Sequence, residues 1–388
     1  MFSLFLPATH TISNRVFRLA ISTLFFLAGL CFASWASRIP HIQGALGLSE
    51  AGLGVVLLAL PVGLMLSLPL SGLLVAKLGS HKIAPVAAFL YSVLLVCLGL
   101  AQSTFQLMAV LFLFGFVGNL MNISVNTQAV GVEALYRRPI MASFHGIWSL
   151  AGFSGAALGT LMIGLGISPS WHFLLVLVPV TLAVAVSSPY MLPEVGEKRE
   201  NQPVFVKPDK SLVSLGIIAF CAMICEGTMF DWSGVYFKKV VQADAAWVGA
   251  GYTAFMGTMA LTRFLADRVA DRIGLKGVLQ LSGLLTASGL LVAVLFPHLL
   301  TAILGFLLVG AGVSSVVPLV YSAAGRSKVM SPGVALAAVS TIGFLGFLLG
   351  PPLIGLVAGA TSLRVSFALM VVMGLGISVL ATRAKSLY

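Results

Sequence analysis

"PEVGEKRENQPVFVKPDK", residues 193–210, is polar, proline-rich and charged, and it interrupts a chain that is otherwise almost continuously apolar. On both sides the sequence runs in apolar stretches of about 20 residues, the length a helix needs to cross roughly 30 Å of hydrocarbon. Composition agrees: of 388 residues 59% are hydrophobic and 9% charged, with a mean hydropathy of +1.08. A soluble domain carries about 25% charged residues, so this chain has too few to cover itself with a polar surface. In lipid every backbone N–H and C=O must be satisfied inside the protein, which leaves helices or a closed barrel. The apolar runs are too long for barrel strands of about 10 residues. The expected fold is therefore an all-α polytopic membrane protein. Twelve spans are predicted, at 17–37, 50–76, 83–102, 105–132, 140–166, 171–192, 211–237, 246–268, 275–296, 299–324, 331–359 and 362–382. The opening stretch then becomes a linker between a six-helix bundle over 1–192 and a second over 211–388.

Basic residues orient the chain. With the N-terminus inside, eighteen Lys and Arg residues fall on the cytoplasmic side, Lys77, Arg263, Arg268 and Arg272 among them. Only Arg38, Lys238, Lys239 and Arg364 fall on the other side. This positive-inside bias predicts that both termini are cytoplasmic. It also accounts for the net charge of +11, which suits anionic lipid headgroups. Nucleic-acid binding would need a basic soluble module, and the sequence offers none. No cleavable signal peptide is expected, because the first apolar run is of full length and follows Arg15 and Arg18. The four cysteines all lie in helices and read as small buried apolar side chains; no metal site and no cofactor is expected.

The two halves carry a weak internal repeat. Lys77-Leu78-Gly79 in "SGLLVAKLGSHK" (71–82) is matched 195 positions later by Arg272-Ile273-Gly274 in "ADRVADRIGLK" (266–276). "FASWAS" resembles "MFDWSG", with Trp35 and Trp232 separated by 197 positions. Parallel repeats of six helices suggest two bundles that rock about a site between them.

On these features the chain resembles the major facilitator superfamily over nearly its whole length. The family's loop, roughly Gly-x-x-x-Asp-Arg-x-Gly, is kept in the second copy as Asp271, Arg272 and Gly274. The first copy keeps Gly72, Lys77 and Gly79 but has Ala76 at the acidic position. The resemblance implies a cytoplasmic latch built on this loop, and here it would lean on Asp271. "ASWASRIPHI" (33–42) and "RRPIMASFHGIWSLAG" (137–152) look like the bacterial MosC-like branch, typified by a rhizopine transport protein and related to fucose-type sugar permeases. That likeness implies a multi-pass protein of the bacterial inner membrane, monomeric, moving sugars or cyclitol-like solutes.

Residues that carry such transport are sought among costly polar groups within spans. An ionisable side chain inside a membrane helix costs about 3 kcal/mol on insertion scales. "ICEGTMFDW" (224–232) places Glu226 near mid-depth and Asp231 five residues on, rotated by roughly 140°. Proton coupling is the functional reading of both; the alternative is a static pair with Arg38 or Lys238. Asn119, Asn122 and Asn126, spaced i, i+3, i+7, form one polar stripe whose amides suit hydroxyl-rich solutes. Interhelical packing is the alternative. His145 and Trp148 on the fifth span, with Trp35 and Trp232, complete the expected substrate contacts; for His145 a proton-relay role or a purely structural one is the alternative, and for the indoles aromatic packing. "GFSGAALG" (152–159) has the spacing of helix packing rather than of a phosphate loop, and no Walker-type loop exists, which argues against an ATP-driven pump. No catalytic constellation appears, so an enzyme is not expected.

The expected function is secondary active transport of a small polar solute, with the proton as coupling ion. The rival is a proton-driven exporter of drugs or metabolites. Exporters of that kind in the superfamily carry a buried Arg in the fourth span and a Gly-Pro signature in the fifth. The fourth span here has no basic residue before Arg137, and Gly350-Pro351-Pro352 lies instead in the eleventh. A membrane sensor or lipid-facing scaffold is the further alternative, distinguished by the absence of a sealed cavity between the halves.

Overall fold

The structure is a computed structural model that describes residues 13–136, 140–193, 210–326 and 332–383. Residues 194–209, most of the expected linker, and the basic residues Arg137, Arg138, Lys198, Arg199, Lys207, Lys328 and Lys385 lie outside them. In chain order the helices are α1 (Asn14–Ala45), α2 (Glu50–Leu78), α3 (Ser80–Leu100), α4 (Thr104–Tyr136), α5 (Met141–Gly164) and α6 (Pro169–Ser187). There follow α7 (Lys210–Lys239), α8 (Ala250–Leu295), α9 (Leu299–Val313), α10 (Val316–Gly325), α11 (Pro332–Ala360) and α12 (Leu363–Arg383).

The spans expected at 246–268 and 275–296 are two helices that meet end to end within α8 at Gly274, whose φ of 71° only a residue without a Cβ adopts readily. The span expected at 299–324 is divided into α9 and α10 at Ser314-Ser315. Pro318 has no N–H to return to the Ser314 carbonyl four residues earlier, so the helix ladder opens there. Among the described residues eleven helical segments are long and apolar enough to cross a membrane. The first limb of α8 corresponds to the span expected at 246–268.

The halves form two bundles. In the first, α1 packs on α5, α2 on α4, and α3 on α4 and α6; in the second, α7 packs on α11 and α8 on α9 and α12. The repeat is written into the backbone with a constant offset. Gly79 (φ 90°) and Gly274 (φ 71°) turn the chain at positions 195 apart, as do Gly47 (φ 62°) and Gln242 (φ 54°). The same offset relates the closest helix crossings. A Cβ on Gly115 would sit 2.0 Å from the Leu60 carbonyl oxygen, and one on Gly310, its counterpart, 2.2 Å from that of Phe255. A Cβ on Gly63 would likewise sit 2.0 Å from the Phe112 oxygen, and at the matching place Thr258 donates a hydrogen bond to the Leu307 oxygen at 2.8 Å. Small residues allow such approach where lipid supplies no hydrophobic drive between helices. Gly115→Val is accordingly expected to separate α2 from α4 and to remove most of the folded protein, read as loss of the monodisperse peak and of cooperative melting in detergent.

Across the bundles, α2 meets α11, α5 meets α8 and α1 meets α7. The seal lies at one end. Gly54 abuts Pro351 and Gly355, Gly234 abuts Pro40, Lys238 donates to the Pro40 carbonyl at 3.1 Å, and Lys239 pairs with Glu50. Lys77, Asp271 and Arg272 lie exposed at the opposite end.

Candidate functional site

Below the seal a cavity of about 700 Å³ lies between the bundles. The first bundle lines it with Phe25 and Phe32 of α1, Asn122 and Asn126 of α4, and His145 and Trp148 of α5. The second contributes Glu226 and Asp231 of α7, Arg263 of α8, Tyr321 of α10 and Phe347 of α11. Most of the remaining wall is apolar, so the few polar groups define what the space can recognise.

Arg263 is the residue the sequence reading misplaced. Counted there as a cytoplasmic end charge, it instead turns into the cavity and joins three helices of its own bundle to one of the other. Its Nη2 faces the Glu226 carboxylate at 3.4 Å, its Nη1 donates to Ser149 Oγ of α5 at 2.6 Å, and its Nε donates to the Ser314 carbonyl at 3.3 Å. That carbonyl is the one Pro318 leaves without a helical donor. The guanidinium also lies 5.8 Å from the Trp148 ring centroid, within cation–π range. Glu226 is 7% exposed, and a carboxylate so enclosed requires such a counter-charge.

Asp231 lines the same cavity, nearer the seal, and no ion pair forms to it among the described residues. The expected alternative, a pair with Arg38 or Lys238, is not what the chain adopts. Arg38 is buried against His172 with Nε donating to Nδ1 at 3.1 Å, and Lys238 caps the Pro40 carbonyl. The α7 rotation explains this: Phe230 and Asp231 face the cavity, whereas Trp232 and Ser233 turn into packed helices.

The asparagine stripe divides. Asn119 touches the cavity but is buried and donates to Ser67 Oγ of α2 at 2.7 Å, so its amide is committed to packing. Asn126 donates to both the carbonyl and the Oδ1 of Asn122 at 2.8 Å, which leaves its own Oδ1 and the Asn122 amide hydrogens to the cavity. His145 is exposed there and stands edge-on to Phe25 at 5.4 Å. Of the tryptophans, Trp148 reaches the cavity; Trp35 and Trp232, expected as solute contacts, do not line it and are 1% and 0% exposed within the core. Which face of a helix an indole occupies depends on neighbours the local sequence does not name. Among the described residues no group of three or more His, Cys, Asp or Glu gathers to hold a metal ion.

Two helical bundles around a central cavity that carries a few polar groups define a polytopic membrane transporter. The chain belongs to the Major Facilitator Superfamily, whose family model matches residues 21–327 and 215–385. It is thus a secondary transporter of small solutes rather than an enzyme. It is 34% identical over 343 residues to an uncharacterised MFS-type transporter of Yersinia pestis, covering 88% of this chain and 89% of that protein. It is 30% identical over 359 residues to the membrane protein MosC of Rhizobium meliloti, covering 92% of this chain and 87% of that one. Among solved structures it resembles the nucleoside transporter NupG, in its D323A mutant form, with a TM-score of 0.74 at 14% identity, over 95% of this chain and all (100%) of that one. A bacterial homologue of the human lysosomal transporter Spinster, inward-facing and occupied, gives 0.73 at 16% identity over 95% of this chain and 96% of that one.

Proposed function

We propose that the chain moves a small hydroxyl-rich solute, sugar- or cyclitol-like, across the bacterial inner membrane by alternating access, coupled to the proton through Glu226. The observation that carries this reading is the Glu226–Arg263 pair inside the cavity, facing Asn122, Asn126 and His145. A carboxylate held by one guanidinium has two alternative states. Ionised, it pairs with Arg263; protonated, it releases Arg263 to its other partners, Ser149 of the opposite bundle among them. Asp231 is the second proton-linked group, closer to the seal. The amides of Asn122 and Asn126 offer donors and acceptors to hydroxyls, and Trp148 and Phe32, 6.4 Å apart, offer apolar faces to a ring.

With residues 1–192 and 211–388 as the two bundles and both termini cytoplasmic, the sealed end is periplasmic and the conformation faces inward. The basic loops at Lys77–Gly79 and Asp271–Gly274 then lie on the open side, where a latch based on Asp271 would form only in the opposite conformation. A monomer contains both walls of the cavity and suffices for this cycle.

The test is accumulation in proteoliposomes under an imposed pH gradient, across sugars, cyclitols and amino sugars; no uptake of any of them sinks the symport reading. The rival, export of drugs or metabolites, draws on the phenylalanines of the wall, and predicts instead that hydrophobic solutes raise the melting temperature and leave the vesicle lumen. Asn126→Ala is expected to weaken solute binding by about 1–3 kcal/mol, the cost of an unpaired polar group in a buried site. Asn119→Ala should lower the melting temperature instead, leaving the dissociation constant of the solute nearly unchanged, because its amide serves Ser67. Binding measured by isothermal calorimetry beside a melting curve separates the two.

A further inference from the structure

Three charged residues outside the cavity join the two bundles at the sealed end. α7 ends on Lys238 and Lys239, and both reach across to the first bundle. Lys238 Nζ donates to the Pro40 carbonyl in the last turns of α1, and Lys239 pairs with Glu50 in the first turn of α2. The C-terminal end of a helix carries partial negative charge, which a nearby cation offsets. α1 has no basic residue in its own last turn, so the Lys238 ammonium serves that end from the other bundle. Gly44 leaves it room, since a Cβ there would stand 3.2 Å from Lys238 Nζ.

The turn between α1 and α2 that receives both lysines is fixed by its own hydrogen bonds. Buried Gln43 donates from Nε2 to the Leu48 carbonyl at 3.2 Å, and the Leu48 amide donates to the Gln43 carbonyl at 3.0 Å. At the start of α2 the Gly52 amide donates to Ser49 Oγ at 3.1 Å. The acceptors are therefore held in position independently of the lysines. At the twin positions of the repeat, 195 residues away, Gln43 and Gly44 stand for the two lysines and Ala245 for Glu50. A six-helix bundle does without these charges, so they belong to the contact between the halves.

The Lys239–Glu50 side chains are 38% and 26% exposed, against 19% and 9% for Arg263–Glu226 in the cavity. Water competes for an exposed pair, so it parts at little cost, whereas a buried pair does not. The neighbouring contacts of Gly54 with Pro351 and of Gly234 with Pro40 supply shape but no directional bond.

We propose that Lys238 and Lys239 are gating residues: together with the Pro40 carbonyl and Glu50 they form a releasable latch that sets how much of the protein rests with this end closed. The inference rests on the alternating-access reading above, in which the sealed end opens once per cycle.

The experiment needs no solute. Nitroxides on Ala45→Cys and Ala245→Cys, both exposed at this end in opposite bundles, report its opening by pulsed electron resonance in detergent. The native cysteines are buried or half-buried, which favours labelling at the introduced ones. Lys239→Met, Glu50→Gln and Lys238→Met are each expected to raise the long-distance fraction several-fold over the wild type. Glu50→Lys, which sets two lysines face to face, should raise it further, and adding Lys239→Glu should return it toward the wild-type value. Two populations in the same ratio in every protein overturn the latch and leave alternating access standing. One short distance in every protein overturns the latch and counts against the opening itself. A swapped pair no more closed than Glu50→Lys alone also overturns the proposal, because the two side chains then do not act on each other.

Discussion

Glu226→Gln abolishes uphill accumulation of solute under a pH gradient while sparing counterflow exchange: that is the expected result with the largest effect on activity. Glutamine keeps the size of the side chain and an oxygen to face Arg263 Nη2, but it never takes up or releases a proton. Exchange of solute against solute needs only that the loaded carrier reorient, and the substitution leaves Asn122, Asn126 and Trp148 in place. Folding should tolerate it, since Arg263 retains Ser149 Oγ and the Ser314 carbonyl. Paired uptake and counterflow assays on the same vesicles decide the matter. Active uptake that survives would remove Glu226 from the coupling step.

Among substitutions at the cavity, Arg263→Met carries the largest expected effect on stability. It leaves the Glu226 carboxylate in an apolar wall with no counter-charge, and it removes the hydrogen bond from α8 to Ser149 across the bundles. Deleting one partner of a buried ion pair costs about 3–5 kcal/mol, whereas replacing both by uncharged groups is often nearly neutral. The single variant is therefore expected to melt well below the wild type. Arg263→Met combined with Glu226→Gln should recover most of the loss yet remain inactive in uphill transport. A melting series over the four proteins tests this. If the double variant is no more stable than the single, the pair is not what Arg263 stabilises.

Both substitutions bear on what could be read from the chain by itself. Glu226 was visible because a carboxylate amid some twenty apolar residues has no local explanation. Its partner was not. Arg263 lies 37 positions away on another helix and close to the basic residues of the α8 turn, where topology counting assigns any cation to the cytoplasm. The asparagine stripe was equally legible as a helical period. The period does not say that Ser67 waits opposite Asn119 while Asn122 and Asn126 face open space. Trp35 and Trp232 show the same limit, as their repeat spacing placed them in equivalent helices but not on the cavity side.

By itself the sequence determined the class of fold. Apolar runs long enough to cross a bilayer, a single polar linker, and a 195-residue echo around Gly79 and Gly274 specify two parallel six-helix bundles, because backbone hydrogen bonding in lipid admits little else. The tertiary structure decided which polar groups meet. It turned Arg263 inward to Glu226, left Asp231 without an ion-pair partner among the described residues, and buried Arg38 against His172 instead of an acid. The physical reason is one of range. Hydrophobic length and helical period are local properties of a segment, whereas the pairing of buried charges depends on helix rotation and crossing, which packing between distant segments sets.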